Sequence, residues 1–472
     1  MFFHIGALLA FGAFHIPVAR CQGNITAELG ARLSEGASVT TNTSSAPRWS
    51  EYGAPQAGYI VHVAEELDVA ETVRYCNENG IQFLAQSGGN GWANTFNMSR
   101  GDLIINLRGL NSVVVNENRD RVHIGGGVLN EELIEAAYEN EVQVLNGGCN
   151  CVGVMGSTLG GGVSRFMNRY GLPADNVVCA NLVTGEGEMI EVSETSHPDL
   201  LWAIRGAGAN FGIVTSVVMN AYPTIDNGQV WAGELFFTGD QLEPYVEAVN
   251  NLNLTEDMTI HWGFNLQPPN NTPAITAEIF FMSGDAEAGK RAFQPLYDLG
   301  PYNDTTTVMA YNRLNDDTLE FCEDGGRKPG WHVGLQTLDY AAFQAVWDEW
   351  VDFVGSTGLN NTGVLVECYS NYVVRQIGSE SASYAHRDIN FYAMTIPIYE
   401  DVSLDGVVEE YATTVRDLWR NSSGFEQPRA YMNFAHGDES LEEIYGESLP
   451  RLRELKQQWD PEGRFNQFFP IS

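Results

Sequence analysis

Apolar and polar positions change rhythm along the chain, and the period of each block predicts the element it forms. Tyr59-Ile-Val-His-Val63 is a short β-branched run of strand type. The next block, 65–79, returns apolar side chains at Val69, Val73 and Cys76, which predicts a helix ending at Gly80. Ile81–Ala85 is a second strand, and it runs straight into a glycine loop, Gln86-Ser-Gly-Gly-Asn-Gly91. The chain therefore opens as a β-α-β-like unit with glycines at the carboxyl end of a strand. Leu103–Leu107 and Val113–Val115 predict strands. Asn130–Asn140 predicts a helix with Asn130 as its cap and Glu131 and Glu132 in the first turn, where acidic groups suit the helix dipole. Val142–Leu145 is a further strand. Upstream, 24–57 is rich in Ser and Thr without a period and is expected to be irregular. Beyond 226, strand-like runs recur at Ala277–Met282 and Phe391–Ile396, and glycine clusters become sparse.

Two more glycine-rich stretches follow the first: GGCNCVGVMGSTLGGG at 147–162 and Arg205-Gly-Ala-Gly-Ala-Asn-Phe-Gly212. Backbone N–H groups cradle phosphates only where no side chain obstructs them. A dinucleotide with extended phosphates accounts for three such stretches together; structural turns are the alternative. A Rossmann fingerprint is excluded, because GAGANFG has the wrong spacing and lies far from the first strand. A Walker loop is excluded because no Gly-Lys-Ser/Thr follows a glycine turn.

Charge and composition narrow the class. The 472 residues hold 25 Lys plus Arg against 61 Asp plus Glu, a net charge of −36. That excess argues against nucleic-acid or anionic-membrane partners, which need cationic surfaces. Residues 1–23 read as a secretory signal peptide: the apolar run is too short to span a bilayer, which takes about 20 residues. The usual positive side chain at its start is missing, and cleavage falls between Ala19 and Asn24. Eight glycosylation sequons, at Asn24, Asn42, Asn97, Asn253, Asn270, Asn303, Asn360 and Asn421, agree with a secreted protein. Secretion permits disulfides among Cys76, Cys149, Cys151, Cys179, Cys322 and Cys368, but spacing assigns no pairs. Cys149-Asn-Cys151 lacks zinc-site spacing, so no metal is expected.

The motifs taken in order resemble the vanillyl-alcohol-oxidase / p-cresol-methylhydroxylase superfamily, in its berberine-bridge-enzyme-like branch. They are QSGGNGW (86–92), CNCVGVMGSTLGGG (149–162), YGLPADNVV (170–178), the unbroken run 198–215, PRAYMNF (428–434) and YGESLPRLRELKQQWDPEGRFN (445–466). The resemblance implies an α+β, two-domain FAD-binding fold of the PCMH type: an FAD-binding domain at 55–225, an antiparallel-sheet substrate domain at 226–425, and a tail at 426–472 that returns to the first domain. It implies that Ser87, Gly88, Gly89 and Gly91 meet the pyrophosphate. Val152, Gly153, Gly156 and Ser157 would line the flavin and its phosphates, Ile213 would touch the adenine side, and Val152 would gate oxygen.

Two departures stand out. Asn90 occupies the place of the family's flavin-linking histidine, and an amide cannot make that bond, although it can still hydrogen-bond the flavin edge. Cys149 occupies the place of the family's second link; it is either that link, a buried thiol, or half of a disulfide. Phe434 replaces the tyrosine that is the catalytic base in several members, and it has no proton to exchange. Tyr431 and His386 remain as catalytic candidates, His386 being either a base or a satisfied buried group. The function implied is a secreted FAD-dependent oxidase acting on a small organic substrate (an alcohol, sugar or specialised metabolite) with O2 as acceptor. A flavin-holding cyclase or isomerase and a secreted binding protein on the same fold are the alternatives.

Overall fold

The computed structural model describes residues 24–472, so the expected signal peptide lies outside the described residues. Three sheets carry the fold. Tyr59–His62, Leu103–Asn106 and Phe83–Gln86 pair in parallel, the order required when Glu66–Asn79 crosses over as a helix between the first and last of them. That helix ends at Gly80 in the left-handed conformation, φ 66°, as the periodicity predicts. Beside it lies a five-stranded antiparallel sheet built from Val113–Val115, Arg121–Gly125, Ile213–Asn220, Val177–Val183 and Met189–Ser193.

The third sheet holds eight strands, from Gln229–Thr238 to Phe391–Ile396. Its inward alternate residues, including Ile260, Trp262, Ile279, Val366 and Cys368, form one core with the helices Leu242–Asn251, Tyr340–Thr357 and Asp405–Ser422. Period-2 alternation sends the intervening residues to the opposite face, where they meet the first half of the chain. Asn168 makes one such junction, donating from Nδ2 to Met258 O and, at 3.1 Å, to Thr259 Oγ1. The tail returns to the first half through the helix Leu449–Trp459. Its buried Lys456 Nζ donates to Asn210 O at 2.8 Å and to Phe465 O at 2.7 Å, and pairs with Asp460 at 2.7 Å. Among the described residues no helix is long and apolar enough to cross a membrane.

Two local expectations are corrected. Residues 24–57 are not irregular throughout: Ile25–Gly30 is helical, and Ser38–Thr40 pairs antiparallel with Tyr59–His62. Asn130 is not a cap but the first residue of the helix Asn130–Glu139, preceded by Leu129. The capping acceptor is the Glu132 carboxylate, which takes the Leu129 N–H at 2.8 Å.

Candidate flavin and substrate site

The Asn130 side chain has other work. Its Nδ2 donates to Cys149 O at 2.9 Å, and its Oδ1 accepts from Gly147 N at 3.2 Å. A buried amide on a rigid helix thus holds the start of the second glycine stretch. That stretch packs backbone to backbone on the first. A Cβ on Gly88 would stand 2.6 Å from Cys151 O and 2.7 Å from Gly153 N; one on Gly153 would stand 2.6 Å from Ser87 Oγ and 2.9 Å from Gly88 N. Gly89 is left-handed, φ +75°, where a side chain is strained. The Asn90 amide, with Nδ2 turned inward, donates to Gly88 O at 3.1 Å and Cys151 O at 3.0 Å. Asn90 therefore braces the two loops against each other.

The paired loops border a cavity of about 150 Å³, lined also by the third glycine stretch and the tail. Ser87, Gly156, Gly160, Gly212, Ile213 and Asn433 face it. Of the predicted site residues, Ser87, Gly156 and Ile213 line this cavity directly, whereas Gly88 and Gly153 form the wall behind it. Gly91 turns toward Arg48, whose guanidinium donates to Gly91 O. Ser157 contributes its carbonyl, which accepts from Asn433 Nδ2 at 2.8 Å. Val152 is half-buried at the loop junction, and its carbonyl accepts from Asn130 N at 3.0 Å. Ser87 Oγ is shielded from solvent and has no hydrogen-bond partner among the described residues. An orphaned hydroxyl in a cavity walled by glycine backbone fits a phosphate-bearing cofactor, because a buried polar group left unpaired is costly.

Cys149 is a thiol, and Cys151 is bonded to Cys322, which arrives from the helical turn Asp316–Cys322 of the second half. The Cys149 Sγ lies 3.6 Å from Cys151 Sγ and 3.9 Å from Cys322 Sγ. Burial pushes the Cys149 thiol up, against the Thr318 side chain and the Cys151 backbone, which pull it down.

Tyr431 and His386 come to different places. Tyr431 is fully buried, its Oη accepting from Asn433 Nδ2 at 2.6 Å and its ring set against Tyr384, Tyr392 and Phe434. It positions Asn433, which reaches the cradle. His386 donates from Nε2 to Glu443 O at 2.6 Å and touches Gly446, so it fastens the tail. Burial holds its imidazole down at about 4.

Periodicity alone missed the polar row on the eight-stranded sheet. Strand register sets His261 opposite Glu278 on one neighbour and opposite Glu367 on the other. All three face away from the helices. Arg165 Nη2 pairs with Glu278 Oε1 at 2.7 Å, while Arg165 Nη1 donates to Asn315 Oδ1 at 2.8 Å. His261 Nδ1 lies 3.1 Å from Glu278 Oε2 and its Nε2 lies 3.1 Å from Tyr369 Oη. Tyr369 Oη donates to Glu367 Oε2 at 2.8 Å. Burial would raise the Glu278 carboxyl, but Arg165 and His261 overcome it and hold it down at about 2. Burial, with Glu367 beside it, pushes the Tyr369 phenol well up.

This row adjoins the cradle at both ends. Arg165 lies against Gly148, and Asn315 Nδ2 donates to Gly147 O at 3.1 Å. At the other end the Tyr369, Tyr392 and Tyr431 rings touch in sequence, leading to Asn433. A second imidazole, His332, lies between Tyr392 and Phe434 with its Nδ1–H on Ala393 O at 2.9 Å and no partner on Nε2 among the described residues. Burial holds it down at about 3, so it is neutral and offers only an acceptor.

Comparison with known proteins gives this arrangement a family. Residues 57–193 match the model of the FAD binding domain, and residues 430–470 match that of berberine and berberine-like proteins. The FAD-linked oxidoreductase anuG of Penicillium roqueforti is 31% identical over 95% of this chain and 92% of its own length. The FAD-linked oxidoreductase iacH of Pestalotiopsis fici is 32% identical over 96% of this chain and 92% of its own. Among solved structures, 6-hydroxy-D-nicotine oxidase from Arthrobacter nicotinovorans superposes with a TM-score of 0.79 at 24% identity, covering 93% of this chain and 98% of that one. Xylooligosaccharide oxidase from Myceliophthora thermophila superposes with a TM-score of 0.81 at 20% identity, covering 94% and 98%. The cofactor that fits the glycine cradle is FAD, and the chain belongs to the berberine-like family of FAD-linked oxidoreductases.

Proposed function

We propose that the protein is a secreted oxidase that takes a hydride from a small organic substrate bearing a C–H next to a hydroxyl (an alcohol, a sugar or a specialised metabolite) and passes the electrons to O2. FAD supplies the hydride acceptor when bound. The chain's own residues do the rest. Ser87, Gly156 and Asn433 would hold the cofactor, and the packed rings of Tyr392, Tyr431 and Phe434 back Asn433. The observation that carries this reading is the acid–base row of Glu278, His261, Tyr369 and Glu367 set against the Gly147–Gly148 turn of the cradle. Substrate oxidation of this kind needs both a hydride acceptor and a group for the hydroxyl proton, and the row rests on the same glycine stretch that lines the cavity at Gly156 and Gly160.

Val152 beside the cradle supports O2 as acceptor, since the resemblance puts a small residue there in oxidases. Secretion is supported by the apolar residues 1–23 and by the exposure of all eight sequon asparagines. The decisive assay is spectroscopic. Purified protein is mixed without oxygen with a panel of alcohols, mono- and oligosaccharides and phenols while the flavin absorbance near 450 nm is followed; air is then admitted and peroxide measured. Bleaching followed by stoichiometric peroxide is expected. A second reading, a cyclase or isomerase that holds FAD without net oxidation, draws on the absence of a hydroxyl at Phe434. A yellow protein that converts a substrate while producing no peroxide would favour it, and a colourless protein that cannot be loaded with FAD would favour a binding role.

A further inference from the structure

Three sulfurs meet where the second glycine stretch touches the substrate half of the chain. Cys151 is bonded to Cys322, and Cys149 stands against both, its Sγ 3.6 Å from that of Cys151 and 3.9 Å from that of Cys322. All three cysteines are half-buried. A thiolate in contact with a bridge is the reactant of thiol–disulfide exchange: it attacks one sulfur, and the other leaves with the electron pair. Cys149 is nearly equidistant from the two, so it lies beside the bond and not in line with it, and attack waits on a turn of its side chain. Its backbone is held, because Asn130 Nδ2 donates to Cys149 O at 2.9 Å. The two possible targets give different products. Attack on Cys151 bridges residues two apart and frees Cys322. Attack on Cys322 bridges Cys149 to Cys322 and frees Cys151. Only the second keeps a long loop closed. Cys151 and Cys322 are 171 residues apart and Cys149 and Cys322 are 173 apart, so these two bridges restrict the unfolded chain almost equally, whereas a bridge between near neighbours restricts it little. The turn that carries Cys322 is also docked independently of the bridge. Asn315, at its start, donates from Nδ2 to Gly147 O at 3.1 Å and accepts from Arg165 Nη1 at 2.8 Å. Cys322 is thereby presented to both cysteines of the glycine stretch.

We propose that these three sulfurs share one disulfide, which exchanges between Cys151–Cys322 and Cys149–Cys322 and is locked as Cys151–Cys322 once Cys149 is occupied. The inference does not draw on the oxidase reading. In the exchange, the Cys149 thiol gives up its proton and its sulfur bonds to Cys322 Sγ. The Cys151–Cys322 bond breaks, and Cys151 leaves with the electron pair and takes up a proton. One S–H and one S–S bond stand on each side, so no oxidant or reductant enters. Cys322 stays tied to the cradle throughout, and what changes is which cysteine, on one side of Asn150 or the other, carries the thiol. Burial works against the Cys149 thiolate, while Thr318, the Cys151 backbone and Arg165 work for it. With a thiolate in the minority and a side chain that must turn, the exchange runs on the order of minutes to hours. A group bonded to Cys149 removes the attacking thiol and stops it.

The test maps sulfurs and needs no substrate. The full-length chain is collected from a riboflavin-limited host and, in parallel, loaded with FAD. Each sample is held for hours in mildly alkaline buffer and then quenched in mild acid with light N-ethylmaleimide. It is next reduced and labelled with the heavy reagent, so that free sulfurs carry the light label and bridged ones the heavy. Fragment ions of the peptide spanning 149–151 place each label. In the flavin-free wild type the light label should divide between Cys149 and Cys151, within about tenfold of each other as near-equal loop entropies dictate, with Cys322 heavy throughout. In the FAD-loaded protein the light label should vanish from Cys151. Light label confined to Cys149 in the flavin-free chain overturns the exchange. Light label on Cys322 there means a bridge inside the glycine stretch and overturns the choice of Cys322 as target. Light label persisting on Cys151 in FAD-loaded protein overturns the locking. Should the flavin-free chain not be secreted, Cys151→Ser made with flavin present decides. A Cys149–Cys322 bridge, with the flavin released by acid, supports the proposal, and a light-labelled Cys322 overturns it.

Discussion

Gly156→Ala separates cofactor binding from folding, because the substitution has opposite signs in the two. Gly156 lies inside the short helix Val154–Thr158 and lines the cavity. An ideal Cβ built on it meets nothing within 4 Å. In cofactor-free protein, the alanine costs no contact and removes the entropic penalty of a helical glycine, a gain of about 0.5–1 kcal/mol. The methyl projects into the space that FAD must fill. Crowding a close-packed site costs about 1–3 kcal/mol, which lowers FAD affinity by roughly 5- to 150-fold at about 1.4 kcal/mol per decade. The assay, run in a Cys149→Ala background so that the flavin stays exchangeable, is a pair of thermal melts, apo and with FAD in excess, beside a titration of apoprotein with FAD followed by flavin fluorescence. The apo midpoint should hold or rise, and the FAD-induced rise in midpoint should shrink by the amount the weaker affinity dictates. An unchanged Kd with an unchanged ligand-induced shift would mean that no part of FAD lies against Gly156, and the cavity would not be its site.

Other expectations follow from the same structure. Val152→Leu should slow reoxidation of reduced flavin by O2 far more than it slows flavin reduction; stopped-flow traces with unchanged reoxidation would remove Val152 from the gating role. Endoglycosidase should lower the mass of protein collected from a secreting host, and no shift at all would count against glycosylation of the exposed sequons. Acid should destabilise the fold beginning near pH 6.5, since His386 and His332 are buried neutral, with folded values of about 4 and about 3 against 6.5 unfolded. Their contribution is full above 6.5 and is lost as pH falls through those folded values, so stability should drop with decreasing pH across that window. His386→Gln, which retains a donor for Glu443 O, should flatten the fall seen in urea midpoints, and parallel curves would refute the assignment.

What the sequence made legible was whatever depends on near neighbours. The helix Glu66–Asn79 with its glycine stop, the strand Val113–Val115 and the three glycine stretches follow from local spacing and from the conformational freedom of glycine. Ser38–Thr40 was illegible because its strand exists only through pairing with Tyr59–His62. Asn130 was misread because the same residue type suits a cap and a buried brace, and only the folded chain brings Gly147 and Cys149 to its amide. The acid–base row was hidden for the same reason: His261 meets Glu278 and Tyr369 across 17 and 108 residues of sequence. One signal was there to read. Each of these polar residues interrupts an otherwise apolar strand at a position of opposite parity to its inward residues, which marks a sheet whose second face meets chemistry and not solvent.

The attachment of the flavin follows from how the sulfurs are shared out. Asn90 is occupied in bracing Gly88 O and Cys151 O, and an amide forms no bond to a flavin in any case. Cys151 is taken by Cys322, a bond that also ties the substrate sheet's Asp316–Cys322 turn to the cradle. Cys149 is thus the one cysteine of the glycine stretch left with a thiol, and Asn130 holds its carbonyl in place. Burial works against its thiolate, the form competent to bond, while the neighbouring Thr318, the Cys151 backbone and Arg165 work for it. A bond to the flavin removes the charge altogether and ends that conflict. The expected outcome is that flavin colour stays with acid-precipitated wild type and leaves with the supernatant from Cys149→Ala. Colour released from both proteins would establish tight but non-covalent FAD. Colour retained by Cys149→Ala would require another attachment residue, and with it a different path for the cofactor between the two glycine loops.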